Sequence, residues 1–317
     1  MNVVFVTHNQ LGVACLEELV DLGANIQAVY TRESQEEISD QTDLEAFTER
    51  TNVPLHRVTS VNTPAVRSQI SEYAPDVLFV IGWSRLVKPT VLSIPSVAAV
   101  GMHPAPLPRG RGRAPIAWSL IKGLNETALS CFHLVADADA GDLIGQEPIP
   151  IEITDDAASL YEKIVKAGRE LIQQCYSHFE SGTVPRNPQD ETNATWWPKR
   201  EPHQGIIDWT RSSQEIYNWI RGQTKPYPGA YSYLDGEKIT VWEANPPDDS
   251  TAFTTPGEIS YVDNEAVAVG TWEGRIEITR IQVGDDAPKP ADSLVREYDF
   301  EVGDLFTDVR DRLTDDI

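Results

Sequence analysis

The sequence predicts a Rossmann-like α/β domain, a doubly wound and mostly parallel sheet, followed by a smaller β-barrel of the OB-like kind. Three observations carry this. Short apolar runs alternate with helix-period stretches over roughly the first half of the chain. One run, Val77-Leu78-Phe79-Val80-Ile81, is continuously apolar, as strands covered on both faces are. Beyond residue 210 the strand-like runs follow one another without crossover helices. A chain of 317 residues is natural for two such domains, and the expected boundaries are 1–186, an ordered linker at 187–209, and 210–317.

Residues 2–7 read as a buried strand, followed by a polar loop at His8-Asn9-Gln10 and a helix over 11–22. A strand at 26–30, helices at 44–50 and 65–73, and the strand at 77–81 continue the alternation. A strand at 97–102 precedes a proline-arginine loop, a helix at 114–122 and a strand at 128–134. Leu160, Ile164, Leu171, Cys175 and Phe179 mark the buried stripe of a long helix closing the first domain. The linker carries Trp196-Trp197-Pro198-Lys199-Arg200. A helix at 214–221 then precedes strands at 230–234, 237–242, 266–269 and 275–283, with Asp235-Gly236 as a hairpin turn between the first two. The acidic tail, 304–317, is expected to fray.

Composition excludes several classes. With 49 acidic against 26 basic residues, eight of the latter lysine, the net charge of -23 opposes phosphate backbones. The same charge suits a halophilic protein whose self-repulsion is screened by high salt. Cys15, Cys131 and Cys175 are widely spaced, with no Cys-x-x-Cys pair and no His cluster, so neither a disulfide framework nor a metal site is expected. The first strand pattern begins at once, and no apolar run is long enough for a bilayer, so the expected compartment is the cytoplasm, with no membrane partner. The loop Thr7-His8-Asn9-Gln10-Leu11-Gly12 has one glycine and no Gly-x-Gly-x-x-Gly, which disfavours a nicotinamide cofactor. His8 reads as a loop residue.

The chemistry concentrates in His103-Pro104-Ala105-Pro106-Leu107-Pro108-Arg109-Gly110-Arg111-Gly112-Arg113 and, 36 positions after the histidine, Asp139-Ala140-Gly141-Asp142. Prolines stiffen the loop and bias the residue before each toward extended backbone, so His103 is held in place and is suited to proton transfer near neutral pH. If Asp139 follows its strand as His103 follows its own, the two meet at one edge of the sheet. Asp137 and Asp142 are the alternatives to Asp139. An isolated histidine is ordinarily structural, and Asp-x-Gly-Asp suits a plain turn; the combination sets this pair apart.

At these residues the chain resembles the folate-dependent formyltransferases, in which an Asn-x-His pair precedes a Leu-Pro-x-x-Arg-Gly loop and an Asp-x-Gly-Asp motif. The likeness covers nearly the whole chain, including Ile207-Asp208-Trp209 and Pro226-Tyr227-Pro228-Gly229-Ala230-Tyr231-Ser232-Tyr233. It is nearest in layout to two-domain members, the methionyl-tRNA and sugar N-formyltransferases. The resemblance implies transfer of a formyl group from 10-formyltetrahydrofolate, as cosubstrate, to a primary amine. It implies His103 as the proton-transfer residue and Asp139 as its partner, a carboxylate that orients the ring and favours its protonated form. It places the folate on Arg85, Leu86 and Val87, on Pro106, Leu107, Pro108 and Arg109, on Arg113, and on Val135, Ala136, Asp137 and Ala138, with Trp83 supplying apolar area. Arg111 and Arg113 are expected to meet an anionic group of folate or substrate.

One position departs from the family. Its asparagine falls on Gly101, which has no side-chain donor. Losing one such donor costs about 10² to 10³ in rate, so Asn9 or Gln10 is the expected substitute, and a non-catalytic folate-binding relative is an alternative. Residues from 187 onward hold 12 basic against 26 acidic side chains. That disfavours tRNA as acceptor and favours a small amine, an amino-sugar nucleotide; methionyl-tRNA formyltransferase and formylfolate hydrolase are the other readings, and a homodimer is left open.

Overall fold

The computed structural model describes residues 1–33, 42–247 and 254–307. It separates into two compact units, the first formed by Met1–Pro115, Glu126–Pro150 and Tyr161–Pro198, the second by Ile116–Asn125, Ile151–Leu160 and the chain from Lys199 onward.

In order, the first part of the chain forms β1 (Asn2–Val6), α1 (Gln10–Asp21), β2 (Asn25–Arg32), α2 (Glu45–Thr51), β3 (Leu55–Val58), α3 (Pro64–Glu72), β4 (Val77–Val80), the single turn α4 (Pro89–Leu92) and β5 (Ala98–His103). There follow β6 (Arg111–Gly112), α5 (Pro115–Ile121), β7 (Glu126–His133), β8 (Leu143–Pro150), α6 (Ala157–Ser181) and β9 (Trp196–Trp197). The seven-stranded sheet has the order β3-β2-β1-β4-β5-β7-β8. Its first five strands are parallel, with β1 central and apolar on both faces, as the alternating pattern predicts.

The last two strands run the other way: β7 is antiparallel to β5, and β8 to β7. Neither β3 nor β8 is legible in the sequence. The first is a four-residue edge strand with no fully buried residue, and the second carries two prolines and a glycine, residues that mask a strand pattern.

Local chemistry sets the helix starts. Asn9 caps α1 by accepting from the Gly12 N–H at 3.1 Å, and Thr63 caps α3 just before Pro64. On one face of the sheet, Val4, Val6, Ala28, Tyr30, Leu78 and Val80 pack with Ile70 of α3. On the other, Phe5 stacks on Phe79 at 5.7 Å, and Phe179 of α6 meets Phe79 edge-on at 5.2 Å. A Cβ at Gly168 of α6 would lie 2.5 Å from Leu11, so glycine lets that helix approach α1.

The second unit holds α7 (Ser213–Arg221), β10 (Ala230–Leu234), β11 (Glu237–Ala244), β12 (Ile259–Val262), β13 (Val267–Gly270), β14 (Arg275–Val283), β15 (Lys289–Pro290) and α8 (Ser293–Glu297). Its antiparallel sheet runs β10-β11-β14-β13-β12, with β15 against β14. Trp209, Ile216, Ile220, Ile239, Val241 and Ile278 form part of its core. The expectation of a tail fraying from Asp304 fails over its first residues: Leu305 bridges to Glu258, and Phe306, 3% exposed, bridges to Leu234. The rest of that tail, 308–317, lies outside the described residues. No helix among the described residues is long and apolar enough to cross a membrane.

Candidate functional site

His103 is the last residue of β5, so the sheet itself fixes its backbone. The imidazole is buried at 7% exposure. Its Nε2 lies 2.8 Å from the Gly110 carbonyl. A carbonyl only accepts, so Nε2 carries the proton, and Nδ1 is the nitrogen left to take or give one. Nδ1 faces Asp139 Oδ2 at 3.8 Å, and the Gly112 N–H donates to that same oxygen at 2.9 Å. Of the three candidate aspartates, only Asp139 stands beside the ring. Asp142 instead pairs with Arg186 at 3.5 Å, and Asp137 lies on the exposed part of the loop.

The route by which Asp139 reaches His103 differs from the expected one. Because β7 is antiparallel, its end at His133 lies level with Val100, inside β5 and not beyond it. The loop after β7 therefore climbs back to the carboxyl end of β5, with Asp139 in the left-handed region at φ 55°.

Side chains outside the predicted set hold this loop. The Gln189 carboxamide donates to the carbonyls of Asp139 and Gly141 at 2.8 and 2.7 Å, and its oxygen accepts from Arg111 Nη2 and Nε at 2.8 and 3.2 Å. Arg111 is correspondingly not a ligand-facing residue. It is 2% exposed and forms a two-pronged pair with Glu191 at 2.9 and 2.7 Å, so the expectation that it meets an anion is corrected.

The segment expected to act as a linker supplies these partners. Trp196-Trp197 pairs in parallel with Arg111-Gly112, and Thr195 Oγ1 accepts from the Gly110 N–H at 2.9 Å. Gly112 has φ 107°, and a Cβ there would lie 2.4 Å from the Trp197 carbonyl, so this close approach requires glycine. Gln189 stands between Pro188 and Asp190 in a stretch of loop composition, which gave no signal of this role.

The other candidate residues differ in exposure and in what holds them. Leu107 turns inward at 3% exposure; its N–H donates to Ser130 Oγ at 3.2 Å and its carbonyl accepts from Gln146 Nε2 at 2.8 Å. Pro106 and Pro108 are half-buried and Arg109 is exposed. Leu86 and Val135 present apolar side chains at 67% and 43% exposure. The loop holding Arg85, Leu86 and Val87 is tied down by Asn62, which donates to the Leu86 carbonyl and accepts from the Lys88 N–H. Val135, Ala136 and Asp137 are exposed, Ala138 is half-buried, and among the described residues no hydrogen bond within the chain claims their backbone. Trp83 packs against the sheet core and meets the ring of His8 edge-on at 5.8 Å; His8 lies in the loop between β1 and α1, as expected, and is buried there at 3% exposure.

At Gly101 a Cβ would lie 2.7 Å from Leu134 Cδ2 and 3.3 Å from Phe132. Apolar side chains thus fill the space a polar residue would need. Of the expected substitute donors, Asn9 caps α1 and packs against Gly82, and Gln10 is an exposed residue of the first turn of α1.

This geometry accompanies a family match over most of the chain. Residues 2–175 match the model described as formyl transferase, and 199–299 that described as formyl transferase, C-terminal domain. Among solved structures, HypX from Aquifex aeolicus in complex with tetrahydrofolic acid is 20% identical, with a TM-score of 0.67, covering 96% of this chain and 50% of its own. This chain therefore spans about half the length of HypX. WlaRD, a sugar 3N-formyl transferase solved with dTDP and 5-N-formyl-THF, is 16% identical with a TM-score of 0.68, covering 90% of this chain and 99% of its own. The methionyl-tRNA formyltransferase from Clostridium thermocellum is 16% identical with a TM-score of 0.58, covering 79% and 95%. At these identities the solved structures speak for the fold. The matches to both domain models, covering the strand that ends in His103 and the loop that presents Asp139, show that this chain belongs to the formyl transferase family.

Proposed function

We propose that the protein transfers a formyl group from 10-formyltetrahydrofolate to the primary amine of a nucleotide-linked amino sugar. The observation that carries this reading is the His103–Asp139 pair, with Nε2 committed to the Gly110 carbonyl and Nδ1 turned to a carboxylate held by the Gly112 N–H. Positioned acid-base catalysis of this kind supplies about 10² to 10⁴ in rate.

The surroundings fit a folate. An aromatic heterocycle with amide-like edges needs apolar flanks and open backbone groups, and Leu86, Val87 and Val135 offer the first while Val135, Ala136, Asp137 and Ala138 offer the second. In this reading Arg85, Pro106, Pro108, Arg109 and Arg113 also take part in holding the folate, and buried Leu107 anchors the proline loop. The folate brings the activated formyl group. His103 Nδ1 accepts the proton that the attacking amine gives up and returns it to the folate nitrogen that departs, while Asp139 holds the ring and faces its charged form.

The acceptor reading draws on charge. From residue 187 onward the excess of acidic side chains repels a tRNA backbone but leaves a small amine unaffected. Incubation with 10-formyltetrahydrofolate and either amino-sugar nucleotides or initiator methionyl-tRNA, at low and molar salt and followed by product mass, tests it. Formylation of the tRNA alone would overturn the acceptor. A second reading, a folate-binding relative with little turnover, is favoured by one observation, Leu134 filling the space at Gly101. It predicts folate binding without product for any amine.

A further inference from the structure

The neutral ring of His103 has one proton for two acceptors. Nε2 lies 2.8 Å from the Gly110 carbonyl, and Nδ1 lies 3.8 Å from the Asp139 carboxylate. A carboxylate is the stronger acceptor, so chemistry alone does not keep the proton on Nε2. Distance favours the carbonyl, and that distance is set by the loop after β5. Gly110 does not secure it unaided. It sits in the left-handed region at φ 76°, and glycine backbone turns more freely than that of any other residue.

Two side chains outside the catalytic pair hold the loop, one near each end. Across the sheet, Ser130 of β7 stands opposite His103, and Gln146 of β8 stands opposite Ser130. Opposed residues of antiparallel strands share a face, so the three form one row. The loop is caught on this row. Ser130 Oγ donates to the Ala105 carbonyl at 2.6 Å and accepts from the Leu107 N–H at 3.2 Å. Gln146 Nε2 donates to that Oγ and to the Leu107 carbonyl, each at 2.8 Å, which occupies both of its hydrogens. At the far end Thr195 Oγ1 accepts from the Gly110 N–H at 2.9 Å. The Arg111 N–H reaches the Thr195 carbonyl at 2.9 Å, and the Thr195 N–H reaches the Pro108 carbonyl at 3.3 Å. Gln146 and Thr195 are both exposed, so core packing does not account for these contacts.

We propose that Gln146 and Thr195 are positioning residues that decide which nitrogen of His103 carries the proton. The proposal rests on the formyl-transfer reading above for the use made of that proton, and not on the choice of acceptor. With the loop clamped, the Gly110 carbonyl holds the Nε2 proton and the Nδ1 lone pair is open to the proton of the attacking amine. With the loop slack, the carbonyl withdraws and the ring donates from Nδ1 to Asp139 Oδ2 instead. The two forms differ only in the place of one proton, exchanged through water, and carry the same charge. A ring protonated at Nδ1 has no lone pair there, so the amine keeps its proton.

Nitrogen-15 NMR of the full chain, labelled at histidine and held at alkaline pH without substrate, reads the two tautomers. Six histidines contribute signals, and the set lost in His103→Gln belongs to His103. In the wild type Nε2 should carry the proton. Thr195→Val removes the acceptor for the Gly110 N–H, and Gln146→Leu removes both donors to the row and loop. Each should move the His103 signals toward the form protonated at Nδ1, and the double variant should move them further. For each single variant kcat for formyl transfer should fall about threefold to tenfold, the worth of one hydrogen bond, with the folate KM level. Thr195→Ser keeps the hydroxyl and should restore both tautomer and turnover. An unchanged tautomer in the double variant overturns the proposal, as does a shifted tautomer with wild-type kcat. Thr195→Ser as impaired as Thr195→Val overturns it too, because the hydroxyl is then not what matters. A tautomer that shifts as expected in a chain that formylates no amine leaves the clamp standing and removes the formyl-transfer reading.

Discussion

The carboxamide of Gln189 donates to the backbone carbonyl of Asp139 at 2.8 Å while its oxygen accepts from Arg111, so one side chain ties the arginine loop to the aspartate loop. Gln189→Glu separates the two connections. It keeps an acceptor for Arg111 but sets a carboxylate against the carbonyls of Asp139 and Gly141. Formyl transfer should fall about tenfold in kcat with little change in either KM, and unfolding free energy by about 1–2 kcal/mol, as for two lost hydrogen bonds. Gln189→Leu should lose both connections and more stability. Equal loss of activity in both variants, arising wholly through KM, would contradict a positioning role.

This tie also marks what was legible in the sequence. The parallel core was readable because Val3–Phe5 and Val77–Val80 are buried on both faces and the sequence shows it as uninterrupted apolar runs. His103 and Asp139 were found through the proline-arginine loop and the Asp-x-Gly-Asp motif. Their meeting, however, was inferred from a parallel arrangement, whereas β7 is antiparallel and a climbing loop brings Asp139 back. Strand direction at that edge leaves no mark in residue types. Gln189 and Glu191 were not found, because their partners lie 78 and 80 residues away in a segment with the composition of a linker.

His103→Gln should lower formyl transfer by about 10² to 10⁴-fold, the range of positioned acid-base catalysis, while affinity for 5-formyltetrahydrofolate is retained. Asp139 adds a backbone constraint, since it sits at φ 55°. Asparagine adopts that region more readily than alanine, so Asp139→Asn should lose activity at nearly native stability, whereas Asp139→Ala also loses about 1 kcal/mol. Denaturant midpoints of the two variants check the difference.

Stability should decline as pH falls below about 6.5, the ordinary histidine value. Burial lowers the pKa of both His56 and His133 in the folded protein. Between the lowered folded value and the ordinary unfolded one, the unfolded chain binds more protons, so stability rises with pH and is fully present above the unfolded value. His56 stacks on Tyr30 at 4.8 Å and contacts Tyr73 Oη at 2.8 Å through Nε2, and His133 Nε2 donates to the Pro185 carbonyl at 2.9 Å. Denaturation at fixed salt between pH 7.5 and 5 should show the loss, and His56→Gln with His133→Gln should flatten it. A wild-type midpoint unchanged over that range would refute the argument.

Gly101 and Leu134 should behave as a coupled pair. A side chain at 101 must displace Leu134 Cδ2, 2.7 Å from the position its Cβ would take. Gly101→Asn alone therefore overpacks the site and should cost about 1–3 kcal/mol. Leu134→Ala alone leaves a void and is also destabilising. Combined, the two changes exchange volume for volume, so the double variant should be more stable than the sum of the singles by at least about 0.5 kcal/mol, the scale of coupling between residues in contact. Activity distinguishes the two functional readings at the same position. If the wild-type enzyme turns over slowly for want of a donor at 101, the double variant should gain up to about 10²-fold in kcat, the worth of one such donor. If another group already supplies that donor, kcat should stay level or fall while the stability coupling persists.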